Sequence, residues 1–251
     1  MNDPVVEPVS PRAPAMTGAV MMNQGWHDLT FLHWAVDPAL VAHRMPAGAR
    51  PDSVDGVTYV GLIPFRAVGT GIGRGPGIPW LGSFLETNVR LYSVDERGRR
   101  GIVFLSLDTN RGPAVIGARA AFGLPYRWAS MSHRVDGDVH SYDARLRRLG
   151  PRPESHVVVR VGERRERTPL DDFLSARWRV HVHWWGRTLH IRSRHEPWPV
   201  HDAEVLALDD GLMASGGLPG LAARAPDHVA FSPGVSAELG WPRDVRRPGG
   251  A

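Results

Sequence analysis

Three polar residues at alternate positions, Glu86, Asn88 and Arg90, are the first candidates for chemistry in this sequence. They lie in the segment FLETNVRLY, whose intervening positions are mostly apolar, and this alternation predicts a β-strand with two different faces. A carboxylate, an amide and a guanidinium on one face can exchange a proton and hold an anion, provided that the face lines a cavity. The alternative is a half-exposed strand whose polar face meets water, which is usual in antiparallel sheets.

The next apolar segment, GIVFLSLD, shows the same division between its two faces. Alternation places Phe104, Ser106 and Asp108 on one face and the aliphatic residues on the other. Two polar faces on neighbouring strands predict one shared pocket, with Ser106 and Asp108 among its lining residues.

Two other patterns indicate chemistry less strongly. His181 and His183 share one face of a predicted strand, as metal ligands can, but spacing alone identifies no third ligand. We therefore favour chance placement and expect no metal and no other cofactor.

The glycine-rich run Gly69 to Gly77 does not match the G-x-G-x-x-G fingerprint, and no helix start follows it, so a mobile hairpin loop is the favoured interpretation.

Composition excludes several classes of enzyme. The chain has no Cys, and all 30 of its basic residues are Arg. Without a lysine there is no Schiff base with a substrate, no lysine-bound pyridoxal phosphate and no P-loop lysine. Without cysteine there is no thiolate nucleophile and no iron–sulfur cluster. A G-x-S-x-G nucleophile elbow is also missing from the sequence.

Charge and hydropathy give expectations about partners and location. The formal net charge is only +4, and the basic cluster between Arg145 and Arg167 has no interleaved aromatic residues, so it is interpreted as a solvated face. No run of 18 apolar residues occurs, and the first residues do not have the pattern of a signal peptide. We expect a cytoplasmic protein that binds a small carbonyl or carboxylate ligand, with no nucleic acid and no membrane; a homo-oligomer is left open.

The elements that must position these residues are mostly strands. Residues 1–20 are rich in proline and are expected to form a disordered tail, followed by one domain over residues 21–247. Short apolar stretches between turns predict strands, and proline or capping signals predict three short helices. The predicted strands cover 57–65, 84–94, 101–107, 156–161, 178–185, 188–194 and 228–241, and the helices follow Asp37, Pro113 and Thr168.

Seven segments, taken together and in order, resemble the YqjF-like family, a domain of unknown function related to acetoacetate decarboxylase. They are WHDLTFLHWAVDP, DGVTYVGLIPF, FLETNVRLY, GIVFLSLD, GARAAFGLPY, TPLDDFLSARW and HEPWPVHDAEV, and they span roughly residues 22 to 245. The resemblance implies a mainly β fold of the acetoacetate decarboxylase type. In that fold a strongly curved antiparallel sheet forms a cone or double barrel, with few short helices and a buried pocket.

The resemblance also assigns positions in that pocket. The decarboxylases form their Schiff base on a lysine in a sequence resembling Gly-Phe-Pro-Lys-Lys, whereas this chain has Gly123-Leu124-Pro125-Tyr126-Arg127. Tyr126 therefore stands where the nucleophile would be, and Arg127 stands where its cationic neighbour would be. Tyrosine forms no imine. The family's strand glutamate has its counterpart in Glu86, which favours the pocket interpretation of that strand.

The sequence predicts a cofactor-independent enzyme in which Glu86 and Tyr126 carry out acid/base chemistry on a carbonyl-bearing metabolite. Aldol-type condensation, dehydration, cyclisation and tautomerisation all fit this chemistry. The residues expected to bind substrate are Asn88, Arg90, Ser106, Asp108, Arg119, Arg127 and His195. Arg119 could instead extend into solvent, and His195 could make a structural hydrogen bond. The competing hypothesis for the whole chain is a non-catalytic binding or sensing protein of the same fold.

Overall fold

The computed structural model describes residues 4–246, apart from the side chains at positions 114–116 and 118. The described chain contains thirteen strands and four α-helices. The strands are β1 (Val20–Val36), β2 (Ala49–Pro51), β3 (Thr58–Ile72), β4 (Phe84–Asp95), β5 (Arg100–Thr109), β6 (Tyr126–Asp136), β7 (Val139–Leu146), β8 (Glu154–Arg165), β9 (Arg179–Trp184), β10 (Arg187–His195), β11 (Val200–Asp210), β12 (His228–Gly240) and β13 (Arg243–Asp244). The helices are α1 (Pro38–Ala42), α2 (Gly112–Phe122), α3 (Pro169–Ser175) and α4 (Leu212–Ser215).

All thirteen strands belong to one sheet that closes on itself. Its order is β13-β10-β9-β5-β6-β7-β8-β11-β12-β1-β3-β4-β2, with further pairings of β10 with β12 and of β4 with β5. These pairings run around two closed circuits that share β12, β1, β3, β4 and β5. The pairs are antiparallel except β5 with β6 and β5 with β9, which are parallel. The predicted mainly β fold with a curved antiparallel sheet is confirmed.

The predicted helix signals are also present in the structure. Asp37 accepts a hydrogen bond from the backbone N–H of Ala39 at the start of α1. At the start of α3, the Thr168 hydroxyl and the Asp171 carboxylate cap each other's backbone N–H groups, which is the predicted capping box. Gly123 caps the C-terminus of α2, and its φ of 64° lies in the left-handed region that favours glycine. The chain can therefore turn sharply from α2 into the first residue of β6.

The two faces of β4 meet different cores. On one face, Val89 and Leu91 are fully buried in the largest apolar cluster together with Leu32, Trp34 and Leu62. The opposite face carries Glu86, Asn88 and Arg90 and points toward two smaller clusters, as strand geometry requires. The sheet thus separates an apolar core from a second, mixed interior.

Two flanking segments border this sheet. Residues 4–19 contain almost no regular secondary structure, but Glu7 forms an ion pair with Arg179 and accepts a hydrogen bond from the backbone of Arg100. The glycine-rich run forms a hairpin, in which Gly71 bridges to Gly77. Within the described residues no helix is both long and apolar enough to span a membrane.

Candidate active site

A cavity of about 390 Å³ lies inside the smaller of the two strand circuits. Every strand of that circuit contributes lining residues, and other segments, including Phe122 of α2 and Tyr126 of β6, add to the wall. The volume falls in the range of small-molecule sites, and most of the lining is apolar. Of the nine predicted site residues, five line this cavity: Glu86, Asn88, Arg90, Tyr126 and His195.

Glu86 and Tyr126 form a hydrogen-bonded pair in the cavity wall. Glu86 lies on β4 opposite Thr109 of β5, and Tyr126 lies on β6 beside Leu107 of the same strand β5. The Tyr126 hydroxyl donates to Oε2 of Glu86 at 3.0 Å. Glu86 is 5% exposed, and among the described residues the hydroxyl of Tyr126 is the hydrogen-bond partner of its carboxylate.

Burial shifts both ionisation equilibria of the pair toward the neutral forms. Loss of solvation raises the pKa of Glu86 to about 8, although the hydrogen bond from Tyr126 opposes this shift. Burial and the neighbouring carboxylate raise the pKa of Tyr126 well above its usual value. At neutral pH a large fraction of Glu86 is therefore protonated, and the carboxyl can either release or accept a proton near physiological pH.

Asn88 and Arg90 continue the polar face of β4. Asn88 is buried, and within residues 4–246 its Oδ1 has no hydrogen-bond partner. Arg90 donates through Nε to the hydroxyl of Tyr92 at 3.2 Å and through Nη2 to the carbonyl of Leu174 at 2.9 Å. Both partners of Arg90 are neutral, so its positive charge meets no carboxylate there.

Arg177 also lines the cavity, and sequence reasoning did not identify it. It is 4% exposed, donates from Nε to the carbonyl of Phe173 and forms an ion pair with Asp52 through Nη1. In the described part of the chain its Nη2 is buried without a hydrogen-bond partner. Its position two residues after α3 is no signal for a functional role, because only the tertiary fold brings it to the cavity.

His195 lies against three tryptophan rings. The ring centroids of Trp178 and Trp198 are each 4.7 Å from that of His195, and that of Trp26 is 5.7 Å away. Its Nδ1–H donates to the carbonyl of Glu196 at 2.7 Å, and burial lowers the pKa of His195 to about 4. The imidazole is therefore neutral at pH 7. The predicted structural hydrogen bond is present, and the ring also lines the cavity.

Ser106, Asp108 and Arg127 lie outside the cavity, contrary to the prediction of a shared polar pocket. The register between β4 and β5 shifts at Val89 and Arg90, so the alternation along β5 is interrupted after Phe104. Phe104 faces the cavity, whereas Ser106 and Asp108 form a separate buried network. In that network Arg127 binds Asp108 through Nε at 2.5 Å and Nη2 at 2.7 Å, and also contacts the hydroxyl of Ser106.

The other predicted candidates lie apart from the cavity. Arg119 is exposed on α2, in agreement with the alternative that it extends into solvent. His181 is buried and hydrogen-bonds to Ser93 at 2.9 Å, whereas its neighbour His183 is exposed. Among residues 4–246, no group of three or more His, Cys, Asp or Glu is placed to hold a metal ion.

Comparisons with known protein sequences assign this chain to a family. Residues 23–236 match DUF2071, a family described as an uncharacterized conserved protein. The uncharacterized protein YqjF of Bacillus subtilis (strain 168) is 31% identical over 191 residues, which cover 75% of this chain and 78% of that protein.

Solved structures with the same fold share less sequence. An acetoacetate decarboxylase-like enzyme from Sphingomonas wittichii RW1 has a TM-score of 0.61 and 12% identity, covering 92% of this chain and 94% of its own. The enduracididine biosynthesis enzyme MppR, complexed with pyruvate, has a TM-score of 0.60 and 16% identity, with 92% of each chain covered. The fold is thus that of acetoacetate decarboxylase-like enzymes, and by sequence the chain belongs to the DUF2071, or YqjF-like, family.

Proposed function

We propose that this chain is a cofactor-independent enzyme that moves protons on a small, enolisable carbonyl compound. The observation that carries the proposal is the Glu86–Tyr126 pair, a buried carboxyl with a pKa of about 8 hydrogen-bonded to a phenol in the wall of a cavity. A carboxyl whose pKa lies near the working pH serves well as general base and general acid.

The central step is proton removal from the carbon next to the carbonyl. Ionised Glu86 takes this proton: an O–H bond forms, the C–H bond breaks, and its electron pair becomes the C=C bond of an enolate. The negative charge thereby moves from the carboxylate to the substrate oxygen. Tyr126 has a single O–H, which donates to Glu86 while the carboxylate is charged and turns to the enolate oxygen as the charge arrives there.

The same step accounts for several reactions without further groups. Return of the proton to another atom gives tautomerisation, attack of the enolate on a second carbonyl carbon gives aldol-type condensation, and loss of a β-hydroxyl as water gives dehydration. Solved structures with a similar fold include MppR complexed with pyruvate and MppR complexed with the condensation product of pyruvate and imidazole 4-carboxaldehyde. Because this chain contains no lysine, its route to such chemistry has no lysine imine.

Hydrogen–deuterium exchange tests the proposal before the natural substrate is known. Proton NMR in D₂O would follow deuterium incorporation beside the carbonyl of 6-oxoheptanoate with wild-type protein, with Glu86→Gln and with Glu204→Gln. Glu204 is exposed on β11, so its variant makes the same chemical change away from the cavity. We expect Glu86→Gln to slow exchange by about 10²–10⁴-fold while Glu204→Gln matches wild type.

Two outcomes contradict the proposal. If Glu86→Gln exchanges at the wild-type rate, Glu86 is not the base. If wild-type protein binds 6-oxoheptanoate in a saturable manner yet accelerates no exchange, the chain fits the competing hypothesis of a binding or sensing protein.

A further inference from the structure

We propose that Arg90 and Arg177 form a carboxylate-binding subsite at the end of the cavity away from Glu86, and that the ligand is an oxo acid whose carboxylate lies several carbons from its carbonyl. The first part stands on the arginine geometry alone. The second part rests on the proposed function, because it takes Tyr126 as the group that binds the carbonyl oxygen.

The charges near this end of the cavity do not balance. Asp52 is buried and is contacted by both Arg100 and Arg177, so one carboxylate faces two guanidinium groups. Arg90 hydrogen-bonds only to neutral oxygens within the described chain. Arg90 is half-buried and Arg177 is buried. A cation withdrawn from water without an opposite charge is costly, and an anionic ligand would remove that cost.

The two arginines meet at one aromatic ring. The guanidinium carbon of Arg90 lies 5.5 Å from the centroid of Tyr92, and that of Arg177 lies 4.9 Å from it. Both side chains also line the cavity. In the described chain, Nη2 of Arg177 is buried and lacks a hydrogen-bond partner, although the residue is only 4% exposed. A carboxylate between the two guanidinium groups would supply the missing acceptor.

The spacing along β4 determines which oxo acids fit. Arg90 follows Glu86 by four positions along the extended strand, which places their Cα atoms roughly 13 Å apart. The guanidinium of Arg90 is held toward Tyr92, the next residue on this face, and therefore away from Glu86. In pyruvate the carboxylate is bonded directly to the carbonyl carbon, so pyruvate cannot reach both Tyr126 and Arg90. A ligand with roughly three to six carbons between the two groups can.

Calorimetric titration of wild-type protein with acid and ester pairs tests the subsite. The probes are pyruvate, 4-oxopentanoate and 6-oxoheptanoate, each with its methyl ester. We expect 6-oxoheptanoate to bind at least 10-fold more tightly than its ester and at least 10-fold more tightly than pyruvate. Arg90→Met and Arg177→Met should abolish the preference for acid over ester. The matched control is Arg164→Met, at an exposed position of β8, and it should retain the preference.

Equal binding of acid and ester by wild-type protein, or an unchanged preference in Arg90→Met, would overturn the subsite. Binding of pyruvate as tight as that of 6-oxoheptanoate would overturn the predicted spacing. The wild-type comparison and Arg90→Met decide the matter even if Arg177→Met does not fold. Glu86→Gln should keep the preference for acid while losing exchange, so failure of the proposed function and failure of the subsite give different results.

Discussion

Two carboxylates on neighbouring strands, Glu86 and Asp108, are both buried and both bound by a residue at the start of β6, yet their surroundings differ. Tyr126 gives Glu86 one neutral O–H, and the pair faces a cavity. Arg127 gives Asp108 two charged hydrogen bonds away from that cavity. Because Tyr126 and Arg127 are consecutive residues of a strand, they point to opposite sides of the sheet.

The difference between the two pairs indicates that one has a structural role and the other a chemical role. Arg127 is fully engaged, since it also contacts the hydroxyls of Ser106 and Ser215. Burial raises the pKa of Asp108, but the paired guanidinium opposes that shift. The hydrogen-bond partner of Glu86 is a neutral phenol and not a guanidinium, so its pKa stays at about 8 and its proton can exchange near that pH. We interpret the Asp108–Arg127 pair as a structural tie between β5 and β6, and the Glu86–Tyr126 pair as the reactive one.

The largest expected effect is on stability, from Asp108→Asn. This change leaves the Arg127 guanidinium, whose side chain is only 22% exposed, without its carboxylate, which should lower the free energy of unfolding by about 3–5 kcal/mol. Urea denaturation at pH 7 measures it. Asp209→Asn, at an exposed position of β11, should stay within about 0.5 kcal/mol of wild type. If Asp108→Asn were equally mild, the Asp108–Arg127 pair would not be a structural tie between β5 and β6.

Tyr126→Phe should reduce catalysis without comparable loss of stability. Removing the donor to the enolate oxygen should slow deuterium exchange by about 10²–10³-fold. The hydrogen bond from Tyr126 lowers the pKa of Glu86, so its loss should raise that pKa further. Exchange by wild-type protein should increase with pH as Glu86 ionises, with a midpoint at about pH 8, and the midpoint should move to higher pH in the variant. A rate profile with an unchanged midpoint would show that the hydrogen bond does not influence Glu86.

Only part of this site could be predicted from the sequence. Alternation along FLETNVRLY correctly placed Glu86, Asn88 and Arg90 on one face, because β4 keeps a regular pleat there. The same reasoning failed for Ser106 and Asp108, because an irregular register in β5 leaves no trace in the pattern of residues. Arg177 depends on the tertiary fold, and only the coordinates show that its Nη2 has no partner in the described chain.

For the fold as well, the sequence predicts the features that depend on local residues and misses several that depend on distant ones. The seven predicted strands are all present, since each combines β-branched or apolar residues with a clear turn. β6 was missed because most of its residues are exposed on both faces, which removes the alternation. β1 was missed for the opposite reason: residues 29–34 are all buried, the polar Thr30 and His33 included, so polar and apolar residues do not alternate there. The hairpin pair β4–β5 follows from two consecutive strands, whereas the closing pair β10–β12 is visible only in three dimensions.

Glu86→Gln should stabilise the protein at alkaline pH, in contrast to Asp108→Asn. Glu86 ionises at about 8 in the folded chain but near 4.5 when unfolded, so wild-type stability should fall as pH rises between these values. The neutral glutamine avoids this loss. Since a buried amide also needs partners, we expect a gain of roughly 2–3 kcal/mol at pH 8, which disappears below pH 4.5. Urea denaturation of both proteins at pH 4 and pH 8 tests this, and a pH-independent difference would contradict the raised pKa.

The smallest effect is expected from Arg119→Ala, which compares two arginines on either side of the turn at Gly123. Arg127 is held by three side chains, whereas the guanidinium of Arg119 is exposed and, among the described residues, reaches only the carbonyl of Tyr126 at 3.5 Å. An exposed side chain with one long contact contributes little, so stability should change by no more than about 0.5 kcal/mol. Deuterium exchange and 6-oxoheptanoate affinity should equal those of wild type. A 10-fold loss of that affinity would instead mean that α2 moves to bring Arg119 onto the ligand, and the carboxylate would then have a third cation besides Arg90 and Arg177.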